Sequence, residues 1–405
     1  MVSLDEASGL MSETCHVTGI ENIALMEALH RVLARDILAA ENVPPFDRSP
    51  FDGYAMRAAD LASASAEQPV TLSVIEEVPA GKIPERTVNP GQAAKIMTGS
   101  PIPPGADCVV KFERVSADGT HVTVPAPFQS GLNIIPAGED IERGTVAAKK
   151  GTAIDPALIG LLASLGIAEI PVYVRPDVAI LSTGDEIVSI CADLPPGKIR
   201  NCNAYALGGA LRAIGAVPVL LGIVRDEAEA IGSAIMEGLR DADMVITTGG
   251  VSVGDFDLVR DALQQIEADV LFWRVRAKPG SSVLAARKHG KMILCLSGSP
   301  GAAMVSFQLL AAPYIRRMSG RIRWRNEEID VAIKEGFKKP SPRKRLVRGR
   351  LLIEEGRAVM AVTENQGNGV LSSFAGTNLL GVIPEGSGPV PPGTRIKAYV
   401  TQDVR

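Results

Sequence analysis

Histidine and cysteine are scarce, with four histidines and five cysteines among 405 residues. The cysteine number is odd and no Cys-x-x-Cys pair occurs, which favours reduced thiols over a disulfide framework or a zinc site. The cysteines are Cys15, Cys108, Cys191, Cys202 and Cys295. No two histidines have ligand spacing, which argues against a histidine-held transition metal.

Strong charge and long apolar runs are also lacking. The net charge is −4 and the pI about 5.8, so we expect no general affinity for nucleic acid or an anionic membrane. The most apolar stretch, residues 159–174, is interrupted by Gly166, Glu169 and Pro171, which is not typical of a membrane span. The amino terminus MVSLDEASGL lacks a signal-peptide pattern. We therefore expect a cytoplasmic protein in which a local basic patch meets any anionic ligand.

The chain divides into segments of different character, and its length predicts two to four domains. ALMEALHRVLARDI (24–37) carries an apolar stripe at helical spacing, and residues 155–166 predict a helix capped by Asp155. Short β-branched runs between Pro/Gly turns at 68–137 predict a small β domain. Short strands without a long helix after residue 322 predict a β barrel or sandwich.

Between residues 175 and 320, apolar strands alternate with amphipathic helices. This alternation predicts a parallel sheet covered by helices on both faces. Ligands of such sheets bind beyond the carboxyl ends of the strands, which directs attention to the loops there. The loops are Ser182–Glu186, Arg225–Asp226, Gly249–Asp257, Lys278–Ser282 and Ser297–Gly301.

These loops combine groups that suit a phosphorylated ligand. Backbone amides of glycine-rich loops and helix amino termini bind phosphate or another oxyanion. Carboxylates beside a phosphate are typical Mg²⁺ ligands. Lys278, with Arg274 or Arg276, would balance the remaining negative charge.

Each feature also has an ordinary structural interpretation. Asp226 precedes a helix and is placed to cap it, Thr183–Glu186 resembles a tight turn, and Lys278 alone is typical of a solvated lysine. The Gly249–Gly254 loop is neither a Walker loop nor a dinucleotide fingerprint. The basic run at 343–350 favours a solvated strand face. Their convergence on one sheet edge favours a binding site.

A further unusual segment is PPFDRSPFDGYAMR (44–57), which is too aromatic for a linker and too charged for a core. Its prolines stiffen the chain. Phe46, Phe51 and Tyr54 are expected to pack a junction between domains, and Gly53 allows a turn beside Asp52.

Several of these motifs, in this order, resemble the MoeA/gephyrin family of molybdopterin molybdenumtransferases over essentially the whole chain. They are PPFDRSPFDGYAMR, IMTGSPIPPGAD, LSTGDEIV, GIVRD, TTGGVSVGDFD, FWRVRAKPG, LSGSPGAAMVSFQLL, QGNGVLSS and LLGVIPEG. The resemblance implies an elongated homodimer of four domains. The expected domains are a discontinuous linear helical–strand dimerisation domain (1–47 and 138–172), an inserted small β domain (48–137), a three-layer α/β molybdopterin-binding domain (173–322) and a carboxy-terminal β barrel (323–405).

The resemblance also implies an activity, namely insertion of molybdenum from molybdate into adenylylated molybdopterin with Mg²⁺-dependent release of AMP. The cleft would lie between the α/β domain of one subunit and the inserted domain of the other. An upstream molybdopterin adenylyltransferase is a further candidate partner, whereas nucleic acid and membrane are not expected partners.

The residues implied by the resemblance fall into two groups. The catalytic residues are Asp52, Glu186, Asp226 and Asp257, of which the last three would hold Mg²⁺. The substrate-binding residues, some from the motifs and some from the loops above, are Thr98, Thr183, Gly249, Gly250, Ser252, Arg274, Lys278, Ser297, Ser299 and Pro300.

The chain departs from the family pattern at several positions. Arg274 replaces another basic residue, Ser281 stands where a lysine is common, Ser299 replaces an asparagine, and Ile135-Pro136-Ala137 replaces an arginine-rich stretch. Two alternatives therefore stay open: insertion of tungstate instead of molybdate, and a non-catalytic scaffold or carrier that binds molybdopterin. The acidic set favours the enzyme, because a pure binder needs few carboxylates around a polyanion.

Overall fold

The computed structural model describes residues 1–251 and 258–401. The first helix, Leu4–Glu13, begins with a capping box in which the side chains of Ser3 and Glu6 each accept from the other's backbone N–H. Its residues Leu4, Ala7 and Met11 are buried in the same core as the central α/β sheet. This helix was not predicted from the sequence.

The prediction of a helix at residues 24–37 is wrong. A strand, Ile20–Ala24, a 3₁₀ turn, Leu25–Glu27, and a two-residue strand, Ile37–Leu38, occupy this region. The backbone amides bond to a distant segment, since Leu33 N donates to Thr152 O and Ala34 N to Pro171 O. The apolar spacing instead reflects packing against that segment.

That segment contains the strand Val146–Ala148, the helix Pro156–Ser164 and the strand Glu169–Tyr173. Asp155 caps the helix as predicted, because its Oδ1 accepts from Leu158 N at 2.8 Å. The strands pair antiparallel with Ile37–Leu38 and with Ile20–Ala24, respectively.

A six-stranded sheet forms between these two segments, which confirms the predicted small β domain. Its strands, in spatial order, are Cys108–Lys111, Gly53–Met56, Gln92–Ile96, Val70–Val78, His121–Val124 and Ser116–Ala117. Short 3₁₀ turns lie at Ala58–Leu61 and Phe112–Arg114. Gly53 is required here, since a Cβ atom would collide with the carbonyl oxygen of Val110.

The central α/β unit contains a second six-stranded sheet. Its strands, in spatial order, are Val217–Val224, Asp177–Thr183, Met244–Thr248, Lys291–Leu296, Val283–Lys288 and Asp269–Trp273. Five run in one direction, but Val283–Lys288 is antiparallel to both of its neighbours. The prediction of a parallel sheet is therefore wrong for this strand, because a short turn at Lys288–Lys291 joins it to the next.

Helices cover both faces of this sheet, as predicted. On one face lie Cys202–Ala213 and the closing helix, which runs as Pro300–Ser306, a π-helical stretch Phe307–Ala311, and Ala312–Met318. On the other lie Ala228–Asp241 and Leu258–Gln265. Successive strand residues alternate between the two cores, Ile180 facing the first and Leu181 the second.

The carboxy-terminal strands close into a five-stranded barrel, which confirms the predicted barrel. The strands, in spatial order, are Glu328–Ile333, Arg357–Val362, Arg345–Glu354, Leu379–Ile383 and Arg395–Val400, with a 3₁₀ turn at Ser372–Phe374. Met360 fills the interior beside Gly349 and Gly381. Among the described helices, none is long and apolar enough to cross a membrane.

Candidate active site

The carboxyl ends of five strands of the α/β sheet meet at one edge, and the predicted loops extend from this edge. The loop after Asp177–Thr183 lies next to the loop after Met244–Thr248, since these strands pair in parallel. The loop after Lys291–Leu296 follows on the other side. Sequence reasoning therefore placed these loops correctly.

Thr183 and the glycines of two neighbouring loops pack tightly together. A Cβ atom on Gly249 would lie 2.7 Å from Thr183 Oγ1, and one on Gly250 would lie 3.1 Å from it. Gly249 and Gly250 also have φ values of 99° and 67°, in the left-handed region that favours glycine. A Cβ on Gly298 would lie 3.4 Å from Gly249 Cα. The Thr183 hydroxyl is buried and has no hydrogen-bond partner within residues 1–251 and 258–401, so a polar group is left for a ligand.

The acidic loops, defined as Gly184–Glu186 and Arg225–Asp226, are joined by two hydrogen bonds from a backbone N–H to a side-chain carboxylate. Asp185 N donates to Asp226 Oδ2 and Asp226 N donates to Asp185 Oδ1, both at 3.4 Å. The other carboxylate oxygen of Asp226 is buried and meets no donor from the described part of the chain. Asp226 therefore does not cap the helix Ala228–Asp241, for which no side-chain cap bond is present among the described residues. An unpaired buried carboxylate oxygen is costly and is ready to bind a cation.

The Glu186 side chain lies against Gly184 in the first of the acidic loops. A Cβ atom on Gly184 would approach Glu186 Oε2 to 2.5 Å, and the φ of Gly184 is 144°. Glu186 O accepts from Ile199 N, which ties it to a small parallel pair of strands, Ile187–Val188 and Ile199–Arg200. The carboxylates of Glu186 and Asp226 thus come from adjacent loops of one edge.

The cationic residues Arg274 and Lys278 lie at the other end of this edge. Their strand, Asp269–Trp273, is four positions from Asp177–Thr183 in the sheet, which corresponds to about 19 Å at ~4.8 Å per strand. The Arg274 guanidinium lies over the Trp273 ring, 4.6 Å from its centroid. Lys278 has an exposed side chain, and its backbone pairs with the barrel through Lys344 O and Leu346 N. The predicted cations therefore lie far from the acidic loops.

Ser297, Ser299 and Pro300 begin the closing helix between these two ends. Ser299 N donates to Ser297 Oγ at 3.2 Å, and Pro300 occupies the first helical turn. Gly301 N donates to Asn368 O of the barrel at 2.7 Å. The loop therefore lies at the junction of the α/β unit and the barrel.

Arg348, which was taken as part of a solvated strand face, is a site residue that sequence reasoning missed. It is fully buried, and a Cβ atom on Gly301 would lie 2.6 Å from its Nη1. Its Nη2 donates to Asn365 O and Gly367 O, whereas Nε and Nη1 have no partner among the described residues. Burial lowers the pKa of this guanidinium. Arg348 therefore places a buried positive charge with two unpaired donors beside the loop that begins the closing helix.

Buried side-chain amides connect the loops beneath the edge. Asn201 Oδ1 accepts from Ser182 Oγ at 3.0 Å, and Thr248 Oγ1 donates to Ser182 Oγ at 3.4 Å. Asn203 Nδ2 donates to Gly298 O at 2.9 Å. These contacts hold three strand ends and one helix start in a fixed relation.

Asp52 and Thr98 form a separate pair within the inserted β unit. Asp52 Oδ1 accepts from Thr98 N at 2.7 Å and from Thr98 Oγ1 at 2.8 Å. The backbone bond first, and the hydroxyl bond second, lower the pKa of the exposed Asp52 carboxyl. These contacts connect Asp52 to Thr98 and not to the α/β edge.

The remaining predicted positions have no described side-chain contact at the sheet edge. Ser252 and Asp257 lie outside the described residues. Ser281 supplies its carbonyl oxygen to Val275 N. In the segment Ile135-Pro136-Ala137, the backbone N–H of Ala137 donates to Asp47 Oδ1 at 2.7 Å.

Comparison with known proteins identifies the family over most of the chain. Residues 2–166 match the MoeA N-terminal region (domain I and II), residues 179–317 a probable molybdopterin-binding domain, and residues 330–401 the MoeA C-terminal region (domain IV). The chain belongs to the MoeA family.

Relatives resemble this chain over nearly their full length. A protein named molybdopterin molybdenumtransferase from Bacillus subtilis (strain 168) is 36% identical over 99% of this chain and 94% of its own length. One of the same name from Staphylococcus aureus (strain Mu50 / ATCC 700699) is 33% identical over 94% and 91%, respectively. The crystal structure of a molybdopterin biosynthesis moeA protein from Pyrococcus horikoshii OT3 matches with a TM-score of 0.85 at 30% identity, over 99% of this chain and 100% of that chain.

Proposed function

We propose that this protein is a molybdopterin molybdenumtransferase, an enzyme of molybdenum cofactor biosynthesis. It inserts molybdenum from molybdate into adenylylated molybdopterin and releases AMP. The observation that carries the proposal is the separation of two unsatisfied groups along one sheet edge. Asp226 Oδ1 is unpaired at the acidic loops, and Arg348 has free donors beside the closing helix. An elongated substrate with a phosphate bridge at one end and an oxyanion-accepting group at the other fits this arrangement.

The acidic loops suit Mg²⁺ as the cation. Glu186 and Asp226, together with Asp257, are the side chains that would hold it. No three His, Cys, Asp or Glu side chains converge as a metal cage in the described ranges. Mg²⁺ keeps several waters and binds through one or two carboxylates plus substrate phosphates. When bound, Mg²⁺ would neutralise charge on the phosphoanhydride that water cleaves.

The remaining residues bind and orient the substrates. The glycine amides of the Gly249 loop and the Thr183 hydroxyl face the middle of the edge, where a phosphate group fits. Ser297 and Ser299, with Arg348, would bind molybdate at the start of the closing helix, and Arg274 and Lys278 would add positive charge at the far end of the edge.

The site is completed by a second copy of the chain. The edge strand Val217–Val224 exposes Leu220 by 49%, Val217 by 39% and Ile223 by 38%, an apolar surface that a homodimer would cover. Asp52, which is satisfied by Thr98 and faces solvent, would then enter the partner's cleft. A cytoplasmic location and docking of an upstream adenylyltransferase stay predictions.

The activity is tested by incubating the protein with adenylylated molybdopterin, molybdate and Mg²⁺. We expect AMP release together with a product that activates a cofactor-free molybdoenzyme. Folded protein that binds the pterin without releasing AMP would indicate the carrier alternative. Competition between molybdate and tungstate in the same assay separates the two metal-insertion alternatives.

Subunit mixing tests whether each site is shared. Asp52→Ala and Asp226→Ala chains carrying different tags are co-expressed, and the doubly tagged heterodimer is isolated. If one site combines Asp52 of one copy with Asp226 of the other, one of two sites is intact and the heterodimer recovers about half of the wild-type rate. Heterodimers as inactive as both parent homodimers would contradict a shared site.

A further inference from the structure

A cation lies directly at the acidic loops. Lys198 Nζ donates to Asp185 O at 2.6 Å, and its side chain is exposed to solvent. Neither the motif comparison nor the loop reasoning selected this residue, because it precedes the strand Ile199–Arg200 instead of following a strand of the main sheet.

The local backbone holds Lys198 in this place. Lys198 N donates to Pro195 O in a turn, and the next residue, Ile199, donates to Glu186 O. Ile199 also pairs with Ile187 in the small parallel pair. The segment 186–200 therefore returns to the acidic loops and brings Lys198 back beside Asp185 and Glu186.

The position has an electrostatic consequence. The acidic loops carry Asp185, Glu186 and Asp226 where a phosphate bridge would bind, and Arg274 is about 19 Å away along the sheet. An ammonium group has three N–H donors, of which the carbonyl of Asp185 uses one. No carboxylate among the described residues pairs with Lys198 at salt-bridge distance, so its charge is available to a phosphate.

We propose that Lys198 is a substrate-binding residue that contacts the phosphate bridge of the adenylylated substrate, with the carbonyl of Asp185 orienting its ammonium group. This inference rests on the proposed function. It assigns the phosphate-binding charge at the acidic end to the segment 186–200, whereas Arg274 and Lys278 serve the opposite end.

Three substitutions distinguish phosphate binding by the charge of Lys198 from a purely structural role of Lys198 in the loop. Lys198→Arg keeps charge and donor, Lys198→Gln keeps a donor without charge, and Lys198→Met removes both. Lys338→Met, at an exposed barrel position, is the matched control for the loss of one positive charge. KM and kcat for AMP release are measured at two ionic strengths, and binding of AMP with Mg²⁺ is measured by calorimetry.

We expect Lys198→Gln and Lys198→Met to raise KM and the Kd for AMP about tenfold, the effect of one charge-assisted hydrogen bond, with kcat nearly unchanged. Lys198→Arg should retain most of the affinity, and Lys338→Met should match wild type. Wild-type affinity in Lys198→Gln would overturn the inference, because the residue would then only brace the loop. A wild-type enzyme that releases no AMP refutes the proposed function instead, and the AMP-binding series still decides the role of Lys198.

Discussion

Asp52 and Asp226 are aspartates beside strand ends, but their surroundings are opposite. Asp52 is exposed, and one carboxylate oxygen accepts two hydrogen bonds from Thr98. Asp226 is partly buried, and one of its oxygens has no donor in the described chain. The Asp52 oxygen is hydrogen-bonded within the chain, whereas the Asp226 oxygen has no partner among the described residues and would be satisfied by the proposed cation. Of these two carboxylates, the one with a buried unpaired oxygen lies at the α/β edge, and the one in the inserted unit is hydrogen-bonded.

Asp226→Asn is expected to have the largest effect. Loss of a carboxylate at the proposed Mg²⁺ position should lower kcat for AMP release on the order of 10³-fold, since a metal ion contributes several kcal/mol to charge stabilisation. Removing an unpaired buried charge should at the same time leave the free energy of unfolding unchanged or raise it. Rates by AMP chromatography and urea unfolding check both parts.

The matched control is Asp241→Asn at the exposed end of the helix Ala228–Asp241, where the carboxylate pairs with Arg240. It should keep wild-type activity. A rate for Asp226→Asn within threefold of wild type would remove this residue from the metal site.

Arg348→Met extends the comparison to the buried cation. Loss of the free donors should lower molybdate-dependent AMP release about 100-fold, as for a desolvated charge that loses its partner. Stability should change little, because the buried guanidinium carries a desolvation cost that its two carbonyl contacts and its contact with the Phe374 ring only partly offset. We also expect molybdate to raise the midpoint of thermal unfolding of the wild-type protein but not that of Arg348→Met.

Arg350→Met is the control for this variant, since Arg350 lies two residues further along the same strand with an exposed side chain that donates to Gly376 O. Equal loss of molybdate protection in both variants would show that Arg348 has no specific role.

Thr98→Val should have the smallest effect, because Thr98 N still donates to Asp52. Loss of the hydroxyl bond should raise the pKa of Asp52 toward its ordinary value, and the acid limb of the pH–rate profile should move to higher pH. The lowered pKa of Asp52 in the folded protein stabilises the folded state at pH values above the pKa of the unfolded state. This contribution is lost as the pH falls through the folded-state pKa. The rate at neutral pH should fall less than about tenfold.

Carboxyl NMR of Asp52 checks this pKa directly, and Thr98→Ser should preserve it. An unshifted acid limb in Thr98→Val, with a shifted pKa of Asp52 in the NMR titration, would show that Asp52 ionisation does not limit the reaction.

Local patterns predicted most of the fold because they depend on neighbouring residues. Asp155 and Pro156 marked a helix start, and the apolar runs marked the strands of the central sheet. The stripe at 24–37 was misleading because Leu25 and Leu33 pack on a segment more than 100 residues later. The helix Leu4–Glu13 had a detectable signal in the capping box of Ser3 and Glu6, whereas its place in the α/β core had none.

The sequence by itself determined the family, the β–α alternation and the loops at the sheet edge, since strand direction and chain order place those loops together. Only the tertiary structure decided which groups meet. The Asp52–Thr98 and Asp185–Asp226 contacts join residues 46 and 41 positions apart. Arg348 is buried because the barrel docks on the start of the closing helix, and Lys198 is placed by the return of its segment to Asp185. Such contacts depend on packing between distant segments, which local periodicity does not specify.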